Sequence, residues 1–238
     1  MNSEILYNEI LTYCQANASA ELAAKYQRYF KQPYNGYGLT NPMITEKVKE
    51  LMKNKEITLD IAMQTLSKYL CKGKYEEVAF GLLLVNGRSK DFTRETFNQI
   101  EGLFSKCIDN WAHADTLGML ILPKFIAKNI VELADFIPWL ESPYKFQRRC
   151  VPVTFIKPMK TIKECSVYMK IIETLMEDKE REVHQGVGWF LREAWKIQPI
   201  DTEAFLLKWK EIAPRLIFQY ACEKMEKEER LRFRRTKK

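Results

Sequence analysis

The sequence predicts an all-α protein, and three observations carry that reading. Apolar residues recur at the three-and-four spacing of amphipathic helices along nearly the whole 238-residue chain. No alternating run of β-branched residues bounded by hairpin turns interrupts them. The segments, about a dozen, are separated only by brief Gly, Pro, Asn and Asp signals and show no heptads. Helix pairs return at roughly the forty-odd-residue period of HEAT-type repeats. The expected architecture is therefore a superhelix of stacked antiparallel helix pairs, an ARM- or HEAT-like solenoid. A globular helical bundle is the alternative.

Taken in order, Ser3 is placed to cap a first helix with Ile5, Leu6, Ile10, Leu11 and Tyr13 on or near one face, and Ser19 a second with Leu22, Ala23, Tyr26, Tyr29 and Phe30 inward. Gln32–Pro42 is rich in Pro, Gly and Asn and reads as a loop, with Thr40 or Asn41 and then Pro42 starting the next helix. Helices are expected at about 43–54, 58–72 and 75–86, the last two closed by Gly73 and by Asn86-Gly87. Asp91 or Thr93 opens a helix bearing Phe97, Ile100, Leu103 and Phe104. Asp109 or Asn110 caps the one that begins at Trp111. Further amphipathic segments span 130–140, 144–156, 162–176, 181–197 and 202–212, with Pro152 and Lys157-Pro158 expected to interrupt. The whole is expected to form one helical-repeat domain, 1–238, with a charged tail from about 224 that reads as a frayed, solvated helix end.

A net charge of +7 permits a polyanionic partner without requiring one. The six cysteines are dispersed with no C-x-x-C pair, and read as small buried hydrophobes in a reducing cytoplasm. Two histidines are too few for a multi-histidine metal site, and no metal or cofactor is expected. The start of the chain lacks the pattern of a signal peptide, and Leu117–Ile126 is too short to span a bilayer. A cytoplasmic monomer with no membrane contact is the expectation.

Three stretches place polar residues among apolar helices. In Asp109–Thr116, Trp111 and Asp115 lie four apart, on one face of a helix. Ser142–Pro152 holds Lys145 and the doublet Arg148-Arg149, whose side chains leave a helix about 100° apart and so do different work. A guanidinium is a planar bidentate donor for phosphate oxygens. Glu182–Trp195 carries Trp189 and Arg192 on one face, with Gly186 and Gly188 inside the helix. Each glycine costs roughly 1 kcal/mol there, so close helix packing or close approach of a ligand must compensate.

W-x-x-x-D, then F-Q-R-R, then G-x-G-W-x-L-R-E, in that order, resembles the AlkD family of DNA alkylation repair glycosylases. The similarity reaches back to K-Y-x-R-Y-F and Y-G-L-x-x-P within Lys25–Pro42, and forward to Ala213-Pro214-Arg215. The resemblance implies HEAT-like repeats forming a basic surface for duplex DNA. It also implies hydrolysis of the N-glycosidic bond of cationic purines such as 3-methyladenine and 7-methylguanine. By motif, Asp115 is then the catalytic carboxylate, and Trp111 and Trp189 are aromatic walls beside the lesion. Arg148 or Arg149 holds backbone phosphate, with Arg149 preferred because the apolar helix continues directly after it. Lys145, Arg192 and Arg215 are expected DNA contacts. Ala112 stands where relatives can carry an acid, and this departure bears on substrate range.

The residue types fit that chemistry on their own. A cationic base leaves without a general acid, so one carboxylate near the sugar suffices to support the developing cation and orient water. His113 projects away from the Trp111/Asp115 face and ranks below Asp115 as a base. Two other classes remain open, a non-catalytic nucleic-acid-binding repeat protein and a protein-interaction scaffold.

Overall fold

A computed structural model describes residues 1–236, and every regular element among them is helical. The all-α class read from the sequence holds. The chain forms two compact units, Met1–His113 and Ala114–Lys238.

The first unit contains α1 (Ser3–Ala16), α2 (Ala20–Gln27), α3 (Asn41–Leu51), α4 (Leu59–Gln64), α5 (Tyr75–Gly87) and α6 (Arg94–Glu101). Side chains of Ser19, Thr40, Thr58 and Thr93 accept from the backbone of the first turn they precede. Asn2 rather than Ser3 serves α1, and Ser3 is its first helical residue. Val78, Phe80, Leu82, Leu84 and Val85 bury α5 on all sides, and α1, α3 and α4 pack around it. The helix begun by α4 widens through a π turn (65–69) and then tightens through a 3₁₀ turn (70–72) before Gly73.

That extension ends beside the segment after α6, and Cys71 is disulfide-bonded to Cys107, their Cα atoms 5.0 Å apart. This corrects the reading of all six cysteines as unpaired. The partners lie in different elements, so no local spacing announces them. Cys14, Cys150, Cys165 and Cys222 are buried and free, as expected.

One carboxylate organises the Gln32–Pro42 loop. Glu76, wholly buried in the first turn of α5, accepts from the Tyr34 hydroxyl (2.7 Å) and from the backbone N–H of Tyr37 (2.7 Å), Gly38 (2.7 Å) and Leu39 (3.0 Å). Gly38 sits at φ +81° with the Ser19 carbonyl where a Cβ would stand, so only glycine fits. Sequence inspection passed over Glu76, which looks like an ordinary first-turn acid.

The division between the units falls within α7 (Trp111–Thr116). Beyond it come a π turn (117–121), α8 (Leu122–Ala127), a 3₁₀ stretch (133–141), α9 (Lys145–Ile162), α10 (Ser166–Ile172), α11 (Arg181–Trp195), α12 (Pro199–Trp209), α13 (Arg215–Ala221) and α14 (Lys227–Leu231). Pro123 accounts for the π turn: it cannot donate to the preceding turn, and the Leu122 N–H reaches back five residues to the Leu117 carbonyl. In the second unit α9, α11 and α13 lie side by side, and α10 and α12 pack on each other behind α9 and α11.

Three expectations are corrected here. Residues 133–141 form a 3₁₀ stretch containing Pro138, not an α-helix. α9 runs through Pro152 and Pro158 without stopping. An interior proline costs about 3 kcal/mol, but Cys150, Val151, Val153, Phe155 and Ile156 are buried around it, and their burial outweighs that cost. The charged tail is docked rather than frayed: Phe233 is fully buried, and Arg230 and Arg235 donate to carbonyls of Met225, Ile212 and Ala213. Lys237 and Lys238 lie outside the described residues.

Glu76→Gln replaces one acceptor oxygen by a donor, leaving one of its partners unmatched in a dry site. It is expected to lower stability in urea by roughly 2–3 kcal/mol. A midpoint unchanged from wild type would show that the loop does not depend on this carboxylate.

Candidate functional site

α9 is the central helix of the second unit and is buried along most of its length, so a polar side chain facing it must find a partner. Asp115, on α7, meets Arg149, on α9, in a bidentate ion pair: Nε to Oδ1 is 2.9 Å and Nη2 to Oδ2 is 2.8 Å. The third direction of the guanidinium is held by α11, since Nη1 donates to the Glu182 carbonyl at 2.7 Å. The pair is nearly dry, with Asp115 16% and Arg149 6% exposed. Burial pushes the Asp115 carboxyl above its ordinary range, and the bonds and charge of Arg149 pull against that.

Small residues let the helices close on this pair. A Cβ on Gly186 would stand 3.1 Å from Arg149 Cγ and 3.2 Å from its carbonyl oxygen. One on Gly188 would stand 2.7 Å from the Ile217 carbonyl oxygen, in α13. Close helix packing, rather than ligand approach, accounts for both glycines of α11. Cys150 donates to the Ala114 carbonyl at 3.3 Å, tying the residue beside Arg149 to the residue beside Asp115.

The arginine doublet is divided as its 100° separation requires. Arg149 takes Asp115, whereas Arg148 donates to both oxygens of Asp178 (2.6 and 3.3 Å) and to the Ser142 carbonyl (2.6 Å). Lys145, one turn before Arg149, pairs with Glu182 (3.3 Å) and Glu180 (3.5 Å). Trp189 is half-buried seven residues after Glu182, on the same face of α11. Arg192 is bonded to Glu193 and Glu223, and Arg215 to the Phe233 carbonyl of the docked tail while lying over the Phe218 ring. Asp115, Arg149, Lys145 and Glu182 thus come together, and Arg148, Arg192 and Arg215 serve other partners.

In the first unit Trp111 belongs to an aromatic cluster. Its indole is 38% exposed, lies nearly parallel to Phe30 with centroids 5.9 Å apart, and donates to the Tyr29 carbonyl. Phe30 in turn packs on Tyr34 and Tyr75. The anchors of that platform on Glu76 were the element missed from sequence. The available signal was a pair of acids opening an otherwise apolar helix directly after a Gly/Asn-rich loop.

His113 is a buried structural histidine. Asn110, which also caps α7 by accepting from the His113 N–H, donates to its Nδ1 at 2.7 Å, and Nε2–H donates to the Tyr75 carbonyl at 3.0 Å. Burial drives its pKa down to about 4, only partly opposed by the Tyr75 carbonyl and nearby acids. Both nitrogens are occupied, so it has no free lone pair with which to act as a base. His184 donates through Nε2 to the Asp178 carbonyl. Among the described residues no group of three or more His, Cys, Asp or Glu is placed to hold a metal, and no helix is long and apolar enough to cross a membrane.

Because the His113 pKa is lower folded than unfolded, it contributes stability that is complete above about 6.5 and lost as pH falls from there towards 4. The loss is expected to reach roughly 3 kcal/mol at the acid end. Urea unfolding across that window should show a shallower pH slope for His113→Gln than for wild type. Identical slopes would contradict a neutral, buried His113.

Comparison with known proteins adds three findings. A family model described as DNA alkylation repair enzyme matches residues 10–225. A solved structure, of a predicted DNA alkylation repair enzyme from Enterococcus faecalis, matches with a TM-score of 0.74 over 88% of this chain and 97% of that one. Its sequence is 18% identical, so the likeness is one of fold. No curated protein matches the chain significantly.

Proposed function

Since the chain belongs to the DNA alkylation repair enzyme family, we propose that it is a monofunctional glycosylase releasing cationic alkylpurines, such as 3-methyladenine and 7-methylguanine, from duplex DNA. The observation that carries this reading is the nearly dry Asp115 carboxylate held by Arg149 through both its oxygens.

Cleavage of the N-glycosidic bond in such a substrate puts positive charge on the sugar while the base departs neutral. Each Asp115 oxygen accepts one bond from Arg149 and keeps a second lone pair. The carboxylate can therefore face the sugar cation and accept a proton from water while staying fixed in place. In a site of low dielectric that charge is worth much more than it is in water. Of the five guanidinium N–H donors, three serve Asp115 and Glu182, and the other two are assigned to a backbone phosphate. Lys145 adds positive charge one turn away. Trp189 is assigned as an aromatic face for the lesion nucleotide, where an indole favours a cationic base by roughly 0.5–2 kcal/mol. Such a bias sorts substrates by about tenfold and does not itself break the bond. The pairing of Arg148 with Asp178 favours a supporting role for it, and Arg192 and Arg215 are assigned to DNA only in so far as they exchange their present partners for phosphate.

No lysine nucleophile is invoked, so the product is an abasic site with the strand intact. Asp115→Asn keeps the shape, and is expected to abolish 7-methylguanine release from methylated duplex DNA while largely preserving DNA binding. Full activity in that variant, or a borohydride-trapped adduct with the wild type, would overturn the assignment. Duplex binding with no base released by the wild type would mark a nucleic-acid-binding module instead.

The acid limb of the rate should lie above the ordinary aspartate value of 3.8, because burial raises the Asp115 pKa. Arg149→Met removes the groups that pull it down, so activity remaining in that variant should fall away at higher pH than in wild type. An acid limb that stays in place would separate Asp115 from the rate-determining ionisation.

A further inference from the structure

Three helical turns beyond the ion pair, the same two helices meet again around a second buried carboxylate. Glu193 on α11 is 8% exposed, and its oxygens take Lys160 Nζ from α9 at 2.6 Å and Lys196 Nζ at 2.9 Å, with Arg192 Nε at 3.3 Å. Burial works against ionisation of Glu193, but the bonds and charges of Lys160 and Lys196 more than offset it and hold the carboxyl at about 2. Arg192 is balanced by its own bond to Glu223. One carboxylate therefore faces two ammonium groups, and a positive charge is left in excess at a fixed place.

A structural ion pair needs only one of these lysines. Both are half exposed, at 49% and 43%, although each is tied to a buried oxygen. Each ammonium has three N–H donors and spends one on Glu193. Lysine side chains ordinarily lose rotamer freedom when they grip a phosphate. Here the Glu193 tether has already restricted them.

The second cluster stands at a fixed distance from the first. Lys160 follows Arg149 by eleven residues on α9, and Glu193 follows Glu182 by eleven on α11. Eleven residues return to within about 20° of the same helix face and advance ~16 Å. That is about half a turn of B-form DNA.

From this geometry we infer that Lys160 and Lys196, anchored on Glu193, form a clamp for a backbone phosphate of duplex DNA away from the lesion. The clamp rests on the DNA-repair reading above, and its contribution is independent of base identity. Binding of the full chain to an undamaged duplex, measured across a salt series, tests it. Each lysine that neutralises a phosphate adds about one to the steepness of log K against log salt, and about tenfold in affinity near 0.1 M salt.

Lys196→Gln, which leaves Lys160 and Arg192 on the carboxylate, is expected to lower that slope by about one. Lys160→Gln with Lys196→Gln should lower it further, and the corresponding arginine pair should restore it. Lys170→Gln with Lys208→Gln, two exposed lysines outside the cluster, should leave it unchanged. A wild-type slope retained by the glutamine pair, or an equal loss in the control pair, would overturn the clamp while the glycosylase reading stands. Absence of salt-dependent duplex binding by the wild type would overturn both.

Discussion

The second unit is organised around the cost of keeping Asp115 and Arg149 out of water. Taking both charges from solvent costs several kcal/mol per ion, and their attraction repays this only with good geometry and with the remaining donors satisfied. The chain meets the first condition and, through the Glu182 carbonyl, part of the second. The guanidinium and carboxylate meet in two bonds, and the Glu182 carbonyl takes the third donor. Gly186 permits α11 to approach closely enough to supply that carbonyl. Well-packed apolar residues in place of a buried ion pair are often no less stable, so stability alone does not call for this one.

The same constraint explains the surroundings. α9 carries two prolines and still runs unbroken, because helices α8, α10 and α11 and the π turn cover it and leave no solvent to compete for its backbone. The π turn just after Asp115 follows from Pro123, and it changes the helical register between the acid and the apolar run that anchors it. In the first unit Glu76 does comparable work on a loop: one dry carboxylate satisfies three backbone N–H groups and a tyrosine hydroxyl. Tyr34, so fixed, packs against Phe30, on which the Trp111 indole is stacked.

Helix type and order were legible because period and caps are local, as at Ser19, Thr40, Thr93 and Asn110. What the sequence left open depended on partners remote in the chain. The doublet Arg148-Arg149 reads as two different jobs, but only Asp178, thirty residues on, decides which arginine is withdrawn from Asp115. Cys71 and Cys107 give no sign of each other, and Phe233 in a charged tail gives little sign of its buried place. The intrinsic cost of proline is local, and tertiary burial overrides it at Pro152 and Pro158. His113, two residues before Asp115 in sequence, is bonded to Asn110 and Tyr75.

If Asp115 and Arg149 act as one device, their contributions to base release cannot be independent. Single-turnover rates for Asp115→Asn, Arg149→Met and the combined variant on one methylated duplex decide this. The account predicts that the combined variant is no slower than Asp115→Asn alone, as for residues that work as a unit. Losses that multiply, each substitution slowing the other variant by its full single-site factor, would contradict it.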